Sequence, residues 1–250
     1  MNKGVCRFCG KETELIKAHV VPKCFYKNYK ESGYKALDVD KGTWTLKQNG
    51  MHDNNILCSK CDNGILSNFE QEGKRVLLEE IYNHIDEKEN TDEILYSLSK
   101  KDYNYELLRK FFISILWRAS ISKDKDFKNI NLGPYEKFAL EILKDKKEYK
   151  NLFRVLISKI PDNENLSQVV FLQKGRYFDT SIYTIMMHGY KIIIFVNYSK
   201  IPRRERALFD KIIFNEEHLY IIETQEILED NKNNILELYK KWVIAKNKEK

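Results

Sequence analysis

The sequence predicts an α+β protein: a metal-stapled N-terminal module, a helical middle, and a C-terminal antiparallel β-sheet with a closing helix. Three observations predict it. Two C-x-x-C pairs, Cys6/Cys9 and Cys58/Cys61, bracket the first sixty residues. Apolar residues then recur at three- and four-residue spacing over 65–86, 102–122 and 134–147, the period of an amphipathic helix. From 152 the period changes to strand-like alternation and short β-rich runs with turn residues between them.

The cysteine pairs come first in chemistry as well as in sequence. Two thiolates two residues apart can share one side of a tetrahedral Zn²⁺, and a second such pair completes a closed Cys₄ site. Cys6, Cys9, Cys58 and Cys61 are therefore expected to hold a structural zinc. Cys24 is read as a small apolar residue beside Phe25 rather than as a fifth ligand. A C-x-x-C redox protein is the poorer reading, because no thioredoxin-like βαβ pattern surrounds either pair.

In order along the chain, residues 5–10 read as a knuckle and 14–21 as a strand carrying Leu15, Ile16, Val20 and Val21. Pro22 suits the first position of a helix over about 22–30. Residues 31–54, with Gly33, Gly42, Gly50 and the β-leaning Thr43-Trp44-Thr45-Leu46, read as a hairpin-like insertion. A helix over 65–86 leads out of the module, and the apolar-free run Asp86–Glu93 reads as a solvated linker. The helix over 102–122 carries Leu108, Phe111, Phe112 and Ile115, with Asp102 placed to cap it, and Pro134 opens the next helix. Strands are expected in the sheet over about 152–223, with His188-Gly189 as a hairpin turn that needs unusual backbone angles. Residues 198–217 read as a basic loop, and a helix over 227–245 closes the chain. The division is 1–75 for the metal module and 76–250 for an α+β accessory domain.

Composition bounds the function loosely. With 250 residues, 42% of them apolar, the chain is long enough for a sizeable core. A net charge of +6 permits a polyanionic partner without demanding one. No apolar run of signal-peptide or membrane-spanning length occurs, and four of five cysteines sit in metal-type pairs, so a cytoplasmic protein with no membrane partner is expected.

The segment C-x-x-C, then Ala18-His19-Val20-Val21-Pro22-Lys23, then Ile56-Leu57-Cys58-Ser59-Lys60-Cys61-Asp62-Asn63 and Glu70, resembles the HNH-like, treble-clef zinc nucleases of bacteria. The likeness covers about residues 1–75. It implies a ββα-metal module in which His19 is the general base and a catalytic Mg²⁺ or Mn²⁺ is bound beside the structural zinc. It further implies a DNA substrate and a setting in bacterial defence. Two positions depart from the family pattern: Ala18 stands where an aspartate often precedes the base, and Asp62 where a metal-binding histidine follows the last cysteine.

The resulting site expectations are explicit. His19 is the base, Asp62 the ligand of the catalytic cation, and Asp53 or Asn55 fills the central position of the motif, with Glu70 two helical turns beyond Asp62. His52 is read as a loop residue with ligand as the alternative. Lys23, Lys60, Arg203, Arg204 and Arg206 are the expected phosphate contacts, to DNA or RNA, and the C-terminal domain is open to a protein partner. The alternative to an endonuclease is a catalytically inactive, zinc-stabilised module that binds nucleic acid or a protein.

Overall fold

The computed structural model describes residues 2–26, 34–38, 43–47, 50–87, 94–160 and 169–223. The expected closing helix over 227–245, residues 88–93 of the linker and residues 27–33 lie outside these.

Strands β1 (Asn2–Val5) and β2 (Glu12–Leu15) form an antiparallel hairpin whose turn is the first cysteine knuckle. Gly10 stands there at φ 78, and its N–H closes the knuckle on the Cys6 carbonyl at 2.8 Å. The expected strand over 14–21 is broken in two, β2 and the two-residue β3 (Ala18–His19), because Ile16 N–H turns aside to the Leu57 carbonyl at 2.9 Å. The expected helix after Pro22 is, within the described residues, a single 3₁₀ turn, Lys23–Phe25. The insertion is a hairpin as expected, β4 (Tyr34–Asp38) against β5 (Thr43–Lys47). β6 (His52–Asp53) returns to pair with β3, placing Ala18 opposite Asp53 and His19 opposite His52.

The helical run leaving the second knuckle starts earlier than 65 and changes pitch as it goes. It is π-helical over Lys60–Leu66, α-helical over Ser67–Lys74 (α1), π-helical again over Arg75–Glu79, and 3₁₀ over Glu80–Asn83. The chain then enters two strands that the polar composition around 86–93 had concealed, β7 (Ile85–Glu87) and β8 (Ile94–Ser99). α2 (Tyr105–Ile121) follows, capped by Asn104, whose side chain accepts from Leu107 N–H at 3.1 Å. Asp102 is not the cap. Its carboxylate instead accepts from the Ser99 N–H and hydroxyl at 2.8 and 2.7 Å. α3 (Tyr135–Leu143) begins directly after Pro134.

β9 (Leu152–Lys159), β10 (Phe171–Tyr177), β11 (Thr180–Met187), β12 (Tyr190–Asn197), α4 (Arg203–Phe209) and β13 (His218–Glu223) complete the fold. The seven strands order as β10-β11-β12-β9-β13-β8-β7. The sheet is mixed rather than wholly antiparallel, since β13 runs parallel to β9 with Ile221 opposite Ile157. His188 and Gly189 both take positive φ, 50 and 77, the paired left-handed angles of a tight hairpin, as expected. The basic stretch after 198 is a 3₁₀ turn and a helix rather than a loop.

Period-two alternation sorts the sheet's side chains between two cores. Val155, Ile157, Ile192, Ile194, Leu219 and Ile221 face the helices and the metal module. Leu156, Ile182, Ile193, Phe195 and Ile222 pack with Phe209 of α4 and with Ile213 in the turn that follows it. The first core is continuous into the N-terminal residues: Phe8 packs edge-on against Trp117 at 5.8 Å, Phe25 against Phe111 at 5.3 Å, and the Tyr190 hydroxyl donates to the Leu77 carbonyl at 2.5 Å. No helix among the described residues is long and apolar enough to cross a membrane.

The tightest helix contact is α1 on α2. A Cβ on Gly73 would lie 2.6 Å from two carbons of the Phe111 ring. Gly73→Ala should therefore lose more to overpacking, about 1–3 kcal/mol, than the ~1 kcal/mol it gains in helix propensity. A urea midpoint below the wild-type value is the expected result.

Candidate metal centre and the His19 edge

The two knuckles meet through the backbone before any ion is considered. Cys6 N–H bonds the Lys11 carbonyl at 2.9 Å, and Arg7 N–H reaches across to the Ile56 carbonyl at 2.8 Å. Cys61 and Asp62 N–H both return to the Cys58 carbonyl, at 3.1 and 3.0 Å, opening the helical run. Cys58 N–H points at Cys6 Sγ, 3.4 Å away. The sulfurs of Cys6, Cys9, Cys58 and Cys61 consequently all lie within 4.8 Å of one another. Four thiol groups at that separation suit one tetrahedral ion about 2.3 Å from each sulfur, so the group can hold a metal ion such as zinc. Burial and the neighbouring sulfurs push the Cys61 thiol well above its ordinary range, which a cation replacing the protons would reverse. Cys24 stands apart from the group, half-buried, its thiol raised to about 11 by burial.

Beside the cysteines lies a second polar centre built around Arg118, a residue no sequence signal marked. Its side chain, on α2, is fully buried. Nη1 donates to the His19 carbonyl at 2.6 Å and to Glu70 Oε1 at 2.6 Å, and lies 3.6 Å from Asp62 Oδ1. Asp62 and Glu70 thus share a partner, as their two-turn spacing suggested, but that partner is a guanidinium. Burial raises the Asp62 carboxyl to about 6, with Arg118 opposing the rise and Glu70 adding to it. The expected cation ligand is in this way engaged by the protein's own charge.

His19 is half-buried on β3. Burial first, then the positive charges of Lys23, His52, Lys17 and Arg118, hold its pKa down to about 4, so the ring is neutral at pH 7. His52 is a strand residue rather than a loop residue, its ring centroid 6.1 Å from that of His19 and its Nδ1 2.6 Å from the Gly50 carbonyl. Lys17 and Lys23 are exposed.

Asp53 and Asn55 do not join His19. Asp53 is buried, with Oδ1 accepting from Asn55 N–H at 2.7 Å and Oδ2 from the Ser122 hydroxyl at 2.6 Å and Lys123 N–H at 3.1 Å. That carboxylate ties β6 and the residues after it to the end of α2. Asn55 is exposed and its side chain pairs with Asn2. Lys60 is exposed on the first turn of the helical run. Arg203, Arg204 and Arg206 lie on α4, which packs on the opposite face of the sheet from the cysteine module, so they and Lys23 form no common patch.

Three outcomes follow from this geometry. Cys61→Ser should lose bound metal and folding of the N-terminal residues together, whereas Cys24→Ser should retain both, as measured by elemental analysis and circular dichroism. Arg118→Met should cost about 3–5 kcal/mol in urea unfolding, since it strands two partly buried carboxylates. Because the folded protein holds His19 neutral down to about pH 4 while an unfolded imidazole protonates near 6.5, the unfolded state binds the extra proton between those values. Stability should therefore fall as pH drops from about 6.5 to 4, and His19→Gln should flatten that part of the curve. Comparison of the chain with protein-family models, with curated proteins and with solved structures finds no match.

Proposed function

We propose that the N-terminal residues are a zinc-stabilised, HNH-like module that binds nucleic acid through its phosphate backbone at the His19 edge. One observation carries this reading: the exposed Lys17 and Lys23 lie close enough to the His19 ring to lower its pKa, while the nearby carboxylates Asp62 and Glu70 are turned to the buried Arg118. A polyanion meets a cationic rim there. Zinc is the ion that fits the four cysteines, because a closed thiolate set of this spacing suits a structural site with no open position. A catalytic cation has poorer support, since its expected ligand Asp62 is already engaged with Arg118.

A second reading, a metal-dependent endonuclease acting on DNA, would use the partly exposed and neutral His19 ring to accept a proton from water, although a pKa of about 4 makes it a weak base at pH 7. It needs Mg²⁺ or Mn²⁺ at Asp62.

Fluorescence anisotropy with single- and double-stranded DNA and RNA, across a salt series, separates the readings. Binding that weakens with salt, and whose log–log slope shrinks by about one for each of Lys17→Gln and Lys23→Gln, is expected, with plasmid DNA left uncut in Mg²⁺ or Mn²⁺. Absence of binding to every one of these nucleic acids would end the proposal. Nicking that disappears in His19→Ala while binding persists would install the endonuclease in its place.

A further inference from the structure

Away from the cysteines, one other set of metal-ligating atoms converges among the described residues. Glu80 and His84 lie one turn apart where the helical run ends, with His84 Nε2 2.9 Å from Glu80 Oε1. Asp102, from the turn between β8 and α2, brings Oδ1 to 3.8 Å from the same nitrogen. All three ligand atoms fall within 4.8 Å of one another. We propose that Glu80, His84 and Asp102 form a second metal site, for a divalent first-row ion held by one imidazole nitrogen and two carboxylate oxygens.

The distances suit such an ion. Ligand atoms about 2.1 Å from a first-row metal sit roughly 3 Å apart at neighbouring octahedral positions and roughly 3.4 Å apart in a tetrahedron. The Glu80–His84 separation of 2.9 Å already has the octahedral value, and the Asp102 oxygen, 3.8 Å from the His84 nitrogen, lies less than about an ångström beyond it.

The Asp102 carboxylate is also prepared for the role. Its Oδ2 is fixed by the N–H and hydroxyl of Ser99, while Oδ1 is left turned toward His84. Hydrogen bonds to the far oxygen of a ligating carboxylate are what orient it in metal centres.

A separate argument comes from charge. Arg75 is the nearest guanidinium, but it is committed to Glu72 through two bonds, Nε to Oε2 at 3.0 Å and Nη2 to Oε1 at 2.7 Å, and to the Asp102 carbonyl at 2.9 Å. Its distance to Glu80 Oε2 is 3.9 Å. Glu72, Glu80 and Asp102 are answered by Arg75 and by the nearby Lys101, so the group keeps an excess of negative charge around one imidazole, with the Glu80 and Asp102 side chains 30% and 18% exposed. A divalent cation answers that excess, and the remaining exposure leaves it a path in. One nitrogen and two hard oxygens suit Mn²⁺ or Fe²⁺, whereas the cysteines, as soft thiolates, favour zinc. Bound there, the ion would join the end of the helical run to the turn that launches α2.

Mn²⁺ is the probe, because it competes poorly for thiolates. The full chain, with the metal of its cysteine group counted by elemental analysis, is titrated with Mn²⁺ while free ion is followed by electron paramagnetic resonance. One Mn²⁺ per chain is expected, together with a higher melting temperature. Glu80→Gln and His84→Gln each keep a hydrogen-bonding side chain in place. Each should weaken Mn²⁺ binding by at least ~100-fold and abolish the thermal shift without changing the metal of the cysteine group, while Ser99→Ala should weaken it about tenfold. A wild-type chain that takes up no stoichiometric Mn²⁺ would overturn the site, as would undiminished binding in either glutamine variant; if one variant does not fold, the other gives the same readout.

Discussion

The Arg118 guanidinium is the contact on which the N-terminal half depends. It rises from the interior face of α2, lies fully buried, donates to a strand carbonyl, to the Glu70 carboxylate and to the Ser114 carbonyl and hydroxyl of its own helix, and lies 3.6 Å from the Asp62 carboxylate. Desolvating a guanidinium is tolerable only when each N–H finds an acceptor and its charge is answered nearby. Meeting that demand fixes three elements relative to one another: β3 by its His19 carbonyl, the helical run by Asp62 and Glu70, and α2 by Ser114. Burial is the main reason that the His19 ring stays neutral and that the Asp62 carboxyl is raised; Arg118 adds a small repulsion to the first and opposes the second.

The cysteine group and this ion cluster act on the same small piece of chain in different ways. The first hairpin exposes most of its strand residues, so it cannot hold itself together by burial alone. A metal ion on the four sulfurs would clip it to the start of the helical run, while Phe8 and Phe25 pack it against Trp117 and Phe111 on α2. The module is therefore completed by residues a hundred positions downstream. Asp53 adds a third tie at the far end of α2, through Ser122 and Lys123.

Much of the architecture was legible because it rests on local pattern. Three- and four-residue apolar spacing in 105–121, the alternation of Phe153, Val155 and Ile157, and the β-rich run Ile192–Val196 leave little freedom about period. The hairpin at His188-Gly189 was legible because two adjacent positive φ angles need residues of that kind. β7 and β8 were missed, since their run begins in a charged stretch and takes its strand character from pairing with β13, a partner over a hundred residues away. The cap of α2 was misplaced by two residues for a related reason: Asp102 and Asn104 both have capping chemistry, and the Ser99 turn claims the first.

By itself the sequence determined the metal-binding group, because four thiols in two C-x-x-C pairs specify their own geometry once the chain folds back, and it determined the periods of the main helices and strands. It placed Asp62 and Glu70 on one side of a helix for the same reason of fixed rise and turn. What those carboxylates meet was decided only in three dimensions. Arg118 lies forty-eight residues beyond Glu70 and looks in sequence like one more charge on an apolar helix. The Glu80, His84 and Asp102 cluster and the separation of Lys23 from the α4 arginines were settled there too, because charge pairing depends on which groups packing brings within a few ångströms, and one-dimensional spacing does not carry that distance across elements.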